Sequence, residues 1–388
     1  MEVTEEQIAK EFKFWTHGDK GITINRSKLI EFLNVIGGFW IYRLEDVNAY
    51  TFVKVQDKIV NEVSPMLDIK NFVLSYAKII EEKGLHETLL KGCDQYFGKS
   101  QLTAIPIFTF DFQKDSKDAG YYYFKNGFVE VTKEGYNLKT YDTLQGCVWK
   151  NQIQNRDFKM IDVHEVEIFM FNKFLQNICN NDSERYKSLR TLIGYLLHCY
   201  KEKAKAVILT DTVLSDNAEG RTGKTLLGNA LSYFRKIATV DGKNFVVNDR
   251  FKWQECRLDT QIVFLNDVKD KFSIEPLFTA IADGIKVEQK GKTPFTIEPK
   301  ILITSNKTVI VEGGSAQDRV EEFEFHNFYS SVFQPKNEFH CWFFKDWNEG
   351  QWQVFDNLFL QCVQAYLLEG ISKAAIVNLH VRKIIEQT

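Results

Sequence analysis

Between residues 205 and 306, short, wholly apolar runs alternate with helix-length amphipathic stretches. "KAVILT" (205–210), "IVFLND" (262–267) and "ILITSN" (301–306) each place three or four apolar residues in succession and then turn polar. A run without alternation predicts a strand buried on both faces. Such strands interleaved with helices predict a largely parallel sheet covered on both sides. "KTLLGNALSYFRK" (224–236) follows the first strand with apolar residues at helical intervals. The predicted fold class is therefore α/β with a mostly parallel sheet.

The flanks read differently. Residues 1–150 mix a helix candidate, "RSKLIEFLNVIG", with strand-like "GFWIYRL" and "AYTFVKV", a helical stretch over 66–98, and then "AIPIFTFDF" and "GYYYFKNGFVEVTKEGYNLKTY". In the last of these, strand-rich flanks surround Lys125-Asn126-Gly127, and Asn-Gly is a strong hairpin signal. These residues form an N-terminal α+β region. Residues 151–205 are helical, with apolar faces in "VEIFMFNKFLQNIC" and "SERYKSLRTLIGYLLHCYKE" and a cap signal at Asn181-Asp182-Ser183-Glu184. The α/β core covers 206–327, and an aromatic-rich helical region covers 328–388.

Composition narrows the class. Apolar residues make up 44% and charged residues 26% of the 388, as in a globular protein with a real core. The 32 phenylalanines predict aromatic packing. A net charge of -3 excludes a general polycation, so any nucleic-acid contact comes from a local basic patch. The seven cysteines and seven histidines show no metal-ligand or redox spacing, and "DVHEVE" around His164 is not H-E-x-x-H. No apolar run approaches the roughly 18 residues of a membrane span. A soluble cytoplasmic protein without a membrane partner is the expectation.

The chemistry concentrates in the α/β core. "SDNAEGRTGKT" (215–225) joins a strand to a helix and ends as phosphate-binding loops do. The loop pattern G-x-x-x-x-G-K-[ST] falls on Ala218, Glu219, Gly220, Arg221, Thr222, Gly223, Lys224 and Thr225, with Leu226 next and Ala218 at the first glycine position. In such a loop backbone N–H groups wrap phosphates, Lys224 reaches the β/γ-phosphates of ATP and the Thr225 hydroxyl holds Mg²⁺. The second strand ends in Asn266-Asp267, where a carboxylate serves the metal and the attacking water. "DGIKVEQKGKTPFTIEPK" (283–300) alternates as strand over 285–290, turns at Gly291 and returns. Its Lys286, Lys290 and Lys292 belong either to a solvated hairpin or to a finger gripping nucleic-acid phosphates. Asn306, ending the third strand, can orient the attacking water. Arg319 either pairs with Asp318, Glu321 or Glu322, or reaches a neighbouring subunit's nucleotide.

This order of parts resembles the superfamily 3 helicases, and more closely the primase-helicase proteins of phages and plasmids that are related to the poxvirus-type primase-helicase. "FLQNICNNDSERYKSLRTLIGYLLHCY", "YYYFKNGFVEVTKEGYNLKTYDTL" and "FFKDWNEGQWQVFDNLFLQCVQAYLLEG" are similar to flanking segments of that family. The resemblance implies an AAA+-like P-loop ATPase with a Walker A loop at Ala218–Thr225 and a Walker B strand at Ile262–Asp267. It implies a hairpin motif at Asp283–Lys300 and a sensor motif at Ile301–Asn306. It further implies a hexamer using ATP and Mg²⁺, with catalytic Lys224, Asp267 and Asn306 from one chain and Arg319 from its neighbour. Such a ring draws single-stranded DNA through its pore during phage or mobile-element replication, in the host cytoplasm and alongside a primase or other replication proteins. Two departures stand out: Ala218, and Asn266 where the family usually has a first carboxylate. No paired-carboxylate site for nucleotidyl transfer is apparent in 1–150, so the helicase portion alone is expected. "NLHVRKIIEQT" (378–388) looks like the middle of a family segment, which implies a truncated chain. The alternatives are a nucleotide-binding initiator or regulator with weak hydrolysis, and an ATPase of the same fold acting on RNA or protein.

Overall fold

The computed structural model describes residues 12–19, 21–43, 50–109, 111–202, 204–212, 220–291 and 293–387. Two compact units are formed, one from Met1–Gln113 with Leu144–Lys150, the other from Lys114–Thr143 with Asn151–Thr388. The division does not fall at residue 150, because Lys114–Thr143 belong with the second unit.

The first unit contains β1 (Trp15–Gly18), β2 (Gly21–Ile24), α1 (Arg26–Val35), β3 (Phe39–Arg43), β4 (Tyr50–Gln56) and β5 (Ile59–Glu62). It continues with α2 (Lys70–Ile79), α3 (Leu85–Lys91), α4 (Cys93–Phe97), α5 (Lys99–Leu102) and β6 (Ile107–Phe108), and takes in β10 (Val148–Trp149). Its main sheet is mixed and runs in the order β10-β5-β4-β3-β6. Helix α1 starts at Asn25, whose side chain accepts from the Lys28 N–H at 3.1 Å. Phe14, Phe32 and Tyr76 pack at the centre of its core. This is the α+β composition that the pattern predicts.

The second unit opens with an antiparallel meander, β7 (Ala119–Phe124), β8 (Gly127–Thr132) and β9 (Gly135–Lys139). Gly127 is already paired with Phe124, so the β7–β8 turn is Lys125-Asn126, one residue earlier than an Asn-Gly turn. Asn126 is taken by another contact: its side-chain amide exchanges two hydrogen bonds with the Phe158 backbone. Helices α6 (Val163–Ile168), α7 (Met170–Ile178) and α8 (Ser183–Leu197) follow. Asp182 caps α8, accepting from the Arg185 N–H at 2.9 Å.

The parallel sheet comes next. It uses β11 (Ala206–Asp211), α9 (Lys224–Leu231), β12 (Ile237–Asp241), β13 (Ile262–Asn266), α10 (Phe278–Ala282), the hairpin β14 (Ile285–Val287) and β15 (Phe295–Ile297), β16 (Lys300–Thr304), α11 (Gly314–Asp318) and β17 (Val320–Phe325). The five strands run parallel in the order β12-β13-β16-β11-β17. The three apolar runs are its central strands, as predicted. The two edge strands are additions. β12 alternates buried and exposed positions, and β17 carries glutamates through an otherwise apolar segment, so neither reads as a wholly buried strand.

Helices α12 (Pro335–Phe339), α13 (Glu349–Glu369) and α14 (Leu379–Gln387) complete the unit. One hydrophobic core runs through the meander, α6–α8, the parallel sheet and α13. Gly194 permits close approach of α8 to α13, since a Cβ there would lie 2.1 Å from the Cys362 carbonyl oxygen. The buried Arg235 guanidinium ties the meander segment in, pairing with Asp115 at 2.6 Å and lying 4.2 Å over the Tyr122 ring. No helix among the described residues is long and apolar enough to cross a membrane.

Candidate active site

The carboxyl ends of the central strands β11, β13 and β16 meet at one edge of the parallel sheet, which is where open α/β sheets place ligands. Strand β11 ends in Asp211, and the chain re-enters the described residues at Gly220. Gly220 and Gly223 take left-handed backbone angles, φ +67° and +105°. Gly223 begins α9 with no side-chain cap, and a Cβ there would come 2.8 Å from the Phe174 ring. The first-turn N–H groups of α9 have no intrahelical partners, which leaves them and the positive end of the helix dipole for an anion.

Lys224 is buried, 6% exposed, and its Nζ pairs with Asp211 and donates to the Asn306 Oδ1 at 3.0 Å. The Thr222 hydroxyl donates to the other Asp211 oxygen at 2.5 Å. Burial pushes the Lys224 ammonium below its ordinary range, and Asp211 opposes that shift. A phosphate chain arriving here would add to the favourable charge that Asp211 already sets beside the lysine.

Asn266 is the hub of a second group. Its Oδ1 accepts from the Thr225 hydroxyl and from the Thr304 hydroxyl, both at 3.0 Å. Asp267 has φ +59°, an angle rare for a residue with a side chain and one that gathers at functional sites. Three contacts hold it there. Its N–H donates to the Thr304 hydroxyl at 2.8 Å, its Oδ1 accepts from Asn306 at 3.2 Å, and its Oδ2 pairs with Lys243 at 2.8 Å. The Thr225 hydroxyl, the Asn266 amide oxygen and the Asp267 carboxylate are all oxygen donors, the kind Mg²⁺ takes. No cluster of three or more His, Cys, Asp or Glu able to hold a metal occurs among the described residues. The donors present therefore fit an ion shared with a phosphate chain, and not an all-protein metal cage.

These groups line a cavity of about 730 Å³ with Gly220–Leu226 on one side. Five predicted site residues, Lys224, Thr225, Asn266, Asp267 and Asn306, thus converge, together with the described loop residues Gly220, Arg221, Thr222, Gly223 and Leu226. Ala218, Glu219 and Lys292 lie outside the described residues.

The remaining predicted residues sit elsewhere. Arg319 directly precedes β17, at the amino end of the sheet, with its guanidinium 5.2 Å over the Phe278 ring. Two of its proposed local partners are engaged by lysines: Glu321 by Lys205 at 2.5 Å and Glu322 by Lys383 at 2.6 Å. The β14–β15 hairpin joins β16 through two residues, so it also stands at the amino end. Strand β14 ends at Val287, short of the predicted 290, and the Gln289 amide turns to the Gln254 and Cys256 carbonyls. Lys286 and Lys290 are exposed, with Lys286 3.9 Å from Glu288.

Sequence reasoning missed Asp211, Lys243 and Arg382. Arg382, from α14, donates to the Asp211 carbonyl and, at 2.9 Å, to the Asn306 carbonyl, bracing both strand ends. Asp211 carried a local signal, as an acidic residue directly after "KAVILT"; the other two reach the site only through tertiary contact.

Comparison with protein-family models and with curated proteins finds no match. Among solved structures, the A form of the apo NrS-1 C-terminal region is similar at a TM-score of 0.49 and 13% identity, over 93% of this chain and 74% of that one. Another apo structure of the NrS-1 C-terminal region gives 0.48 and 14%, over 92% and 74%. Similarity at this level assigns neither a reaction nor a partner.

Proposed function

We propose that this chain is an AAA+-like P-loop ATPase that acts as an oligomeric DNA translocase of the superfamily 3 type in the replication of a phage or mobile element. The observation that carries the ATPase reading is the convergence of Lys224, Thr225, Asn266, Asp267 and Asn306 around the uncapped start of α9.

In this reading the α9 N–H groups and Lys224 bind the β- and γ-phosphates of ATP. Lys224 exchanges its buried partner Asp211 for phosphate oxygens, while Thr222 keeps Asp211 occupied. Thr225 and Asn266 hold Mg²⁺, which when bound neutralises charge on the β/γ oxygens. Asp267 accepts a proton from the attacking water, and Asn306, already bonded to Asp267 and Lys224, orients that water. Arg319 acts on the nucleotide of a neighbouring subunit in a hexamer. Lys286, Lys290 and Lys292 contact single-stranded DNA, and a primase or other replication protein works alongside.

A second reading, a nucleotide-binding initiator or regulator with weak hydrolysis, is favoured by one contact set. Asp267 is tied to Lys243 and Asn306, and Asn266 supplies no second carboxylate. ATP binding and hydrolysis measured for the natural chain and for Lys224→Ala separate the possibilities. Turnover lost in the variant supports the ATPase. Binding without turnover in the natural chain supports the regulator. Equal activity in both proteins removes the loop assignment.

A further inference from the structure

The cavity does not end at the loop. Beyond Thr225 and Leu226 its wall continues through Gln334, Pro335 and Lys336 at the start of α12 and then through Cys341, Trp342 and Phe343. Nothing in the phosphate and metal chemistry above uses this second half. Its aromatic residues are placed unequally. Phe343 and Trp347 are each 7% exposed and pack into the core, Phe343 against Phe171 and Phe174. Trp342, directly before Phe343 in sequence, is 49% exposed. Its backbone is fixed, since its N–H donates to the Asp346 carboxylate at 2.6 Å. The Lys336 ammonium, which also belongs to the cavity wall, lies 4.3 Å from the indole centroid, and Lys345 lies 6.0 Å away.

We infer that Trp342 is the stacking platform for the base of the bound nucleoside triphosphate, an inference that rests on the phosphate-loop reading of Lys224. A half-exposed indole on an anchored backbone, in the wall of the same cavity as the α9 start, supplies what the loop lacks, a flat apolar surface for the other end of the ligand. Tryptophan is the best aromatic for a cation and a good one for a base, because both use the ring face. The base takes the indole face that the Lys336 ammonium now covers, and the freed ammonium turns to the phosphate chain. Stacking reads ring area, so this platform sets affinity for nucleotides over bare phosphates.

The test compares ATP with inorganic tripolyphosphate, which engages the loop and has no base. Binding of each is measured in the natural chain, Trp342→Ala, Trp342→Phe and Lys224→Ala, with tryptophan emission recorded on titration. The expected result is a loss of about tenfold in ATP affinity for Trp342→Ala. Tripolyphosphate affinity stays unchanged in that variant, and Trp342→Phe recovers most of the ATP affinity. ATP, and not tripolyphosphate, changes an emission component that Trp342→Phe lacks. Natural ATP affinity in Trp342→Ala overturns the inference and leaves the loop reading standing. So does a parallel loss of both ligands in Trp342→Ala, which makes the residue structural. If the natural chain binds neither ligand, or Lys224→Ala binds both as the natural chain does, the loop reading fails and the platform falls with it.

Discussion

The two ends of the parallel sheet present their site candidates differently. At the carboxyl end, charged and polar groups are mutually bonded around the buried Lys224–Asp211 pair: Lys224 with Asp211 and Asn306, Asn266 with Thr225 and Thr304, Asp267 with Lys243 and Asn306. At the amino end, Lys286 and Lys290 project from a short hairpin, and Arg319 rests over Phe278. Buried polar groups must be satisfied inside one chain, so the first end shows its organisation in a single subunit. The exposed Lys286 and Lys290 face water, and a role for them depends on a second molecule. The proposed nucleotide site can therefore be argued from contacts within one subunit, while the proposed DNA and inter-subunit roles need a partner.

The largest effect is expected from breaking the buried pair at the carboxyl end. Lys224→Met leaves the Asp211 carboxylate buried without its cation, which costs about 3–5 kcal/mol in folding stability. Adding Asp211→Asn removes the stranded charge and recovers most of that loss, while phosphate binding stays absent. Chemical denaturation of the two single variants and the double variant measures the coupling. Additive effects would show that the pair is not held as described.

Asn266→Asp sharpens the comparison from the same end. Aspartate keeps an oxygen where the Asn266 Oδ1 accepts from Thr225 and Thr304, so the fold tolerates it. It adds the second carboxylate, and Mg²⁺-dependent turnover is expected to rise about tenfold. A steady-state rate that does not rise assigns the proton-accepting role to Asp267 alone.

At the amino end, Lys286→Ala with Lys290→Ala is expected to leave basal turnover unchanged. It should lower the salt dependence of single-stranded DNA binding by about 1.4 in log–log slope, the loss of two phosphate contacts. Titrations at several salt concentrations give that slope, and an unchanged slope returns the hairpin to a solvated one.

The smallest effect concerns Lys300, the first residue of β16 at that same end. The residue is 2% exposed, and its ammonium lies 3.7 Å over the Tyr195 ring and is pushed down by burial to about 7. The unfolded chain holds this proton up to the ordinary lysine value, so between about pH 7 and 10 it binds more protons than the folded chain. Stability from this group therefore rises with pH across that window, and its burial penalty is fully present below it. Lys300→Met is expected to stabilise the protein by about 1 kcal/mol at neutral pH and to flatten that rise. Denaturation midpoints at pH 7 and 9 check both.

Much of this was legible in the sequence, and the legible parts share a cause. Strands β11, β13 and β16 are central and buried on both faces, so their composition alone marks them. Asn266, Asp267 and Asn306 are legible because they lie at or just after the ends of such strands. The edge strand β12 alternates buried and exposed positions and the glutamates of β17 interrupt its apolar residues, so neither shows the composition of a strand buried on both faces. Lys243, Arg382 and Trp342 come to the site from distant segments, and no local pattern announces a tertiary contact. Lys300 reads in sequence as an ordinary charged residue beside a strand, and only packing shows that it is buried.

The most direct test is ATP hydrolysis with and without single-stranded DNA, on protein whose oligomeric mass has been determined. A ring-sized oligomer whose turnover rises several-fold with DNA, and falls away in Lys224→Ala, is the expected result. A monomer that hydrolyses ATP at the same rate with and without DNA would contradict the link between the two ends of the sheet.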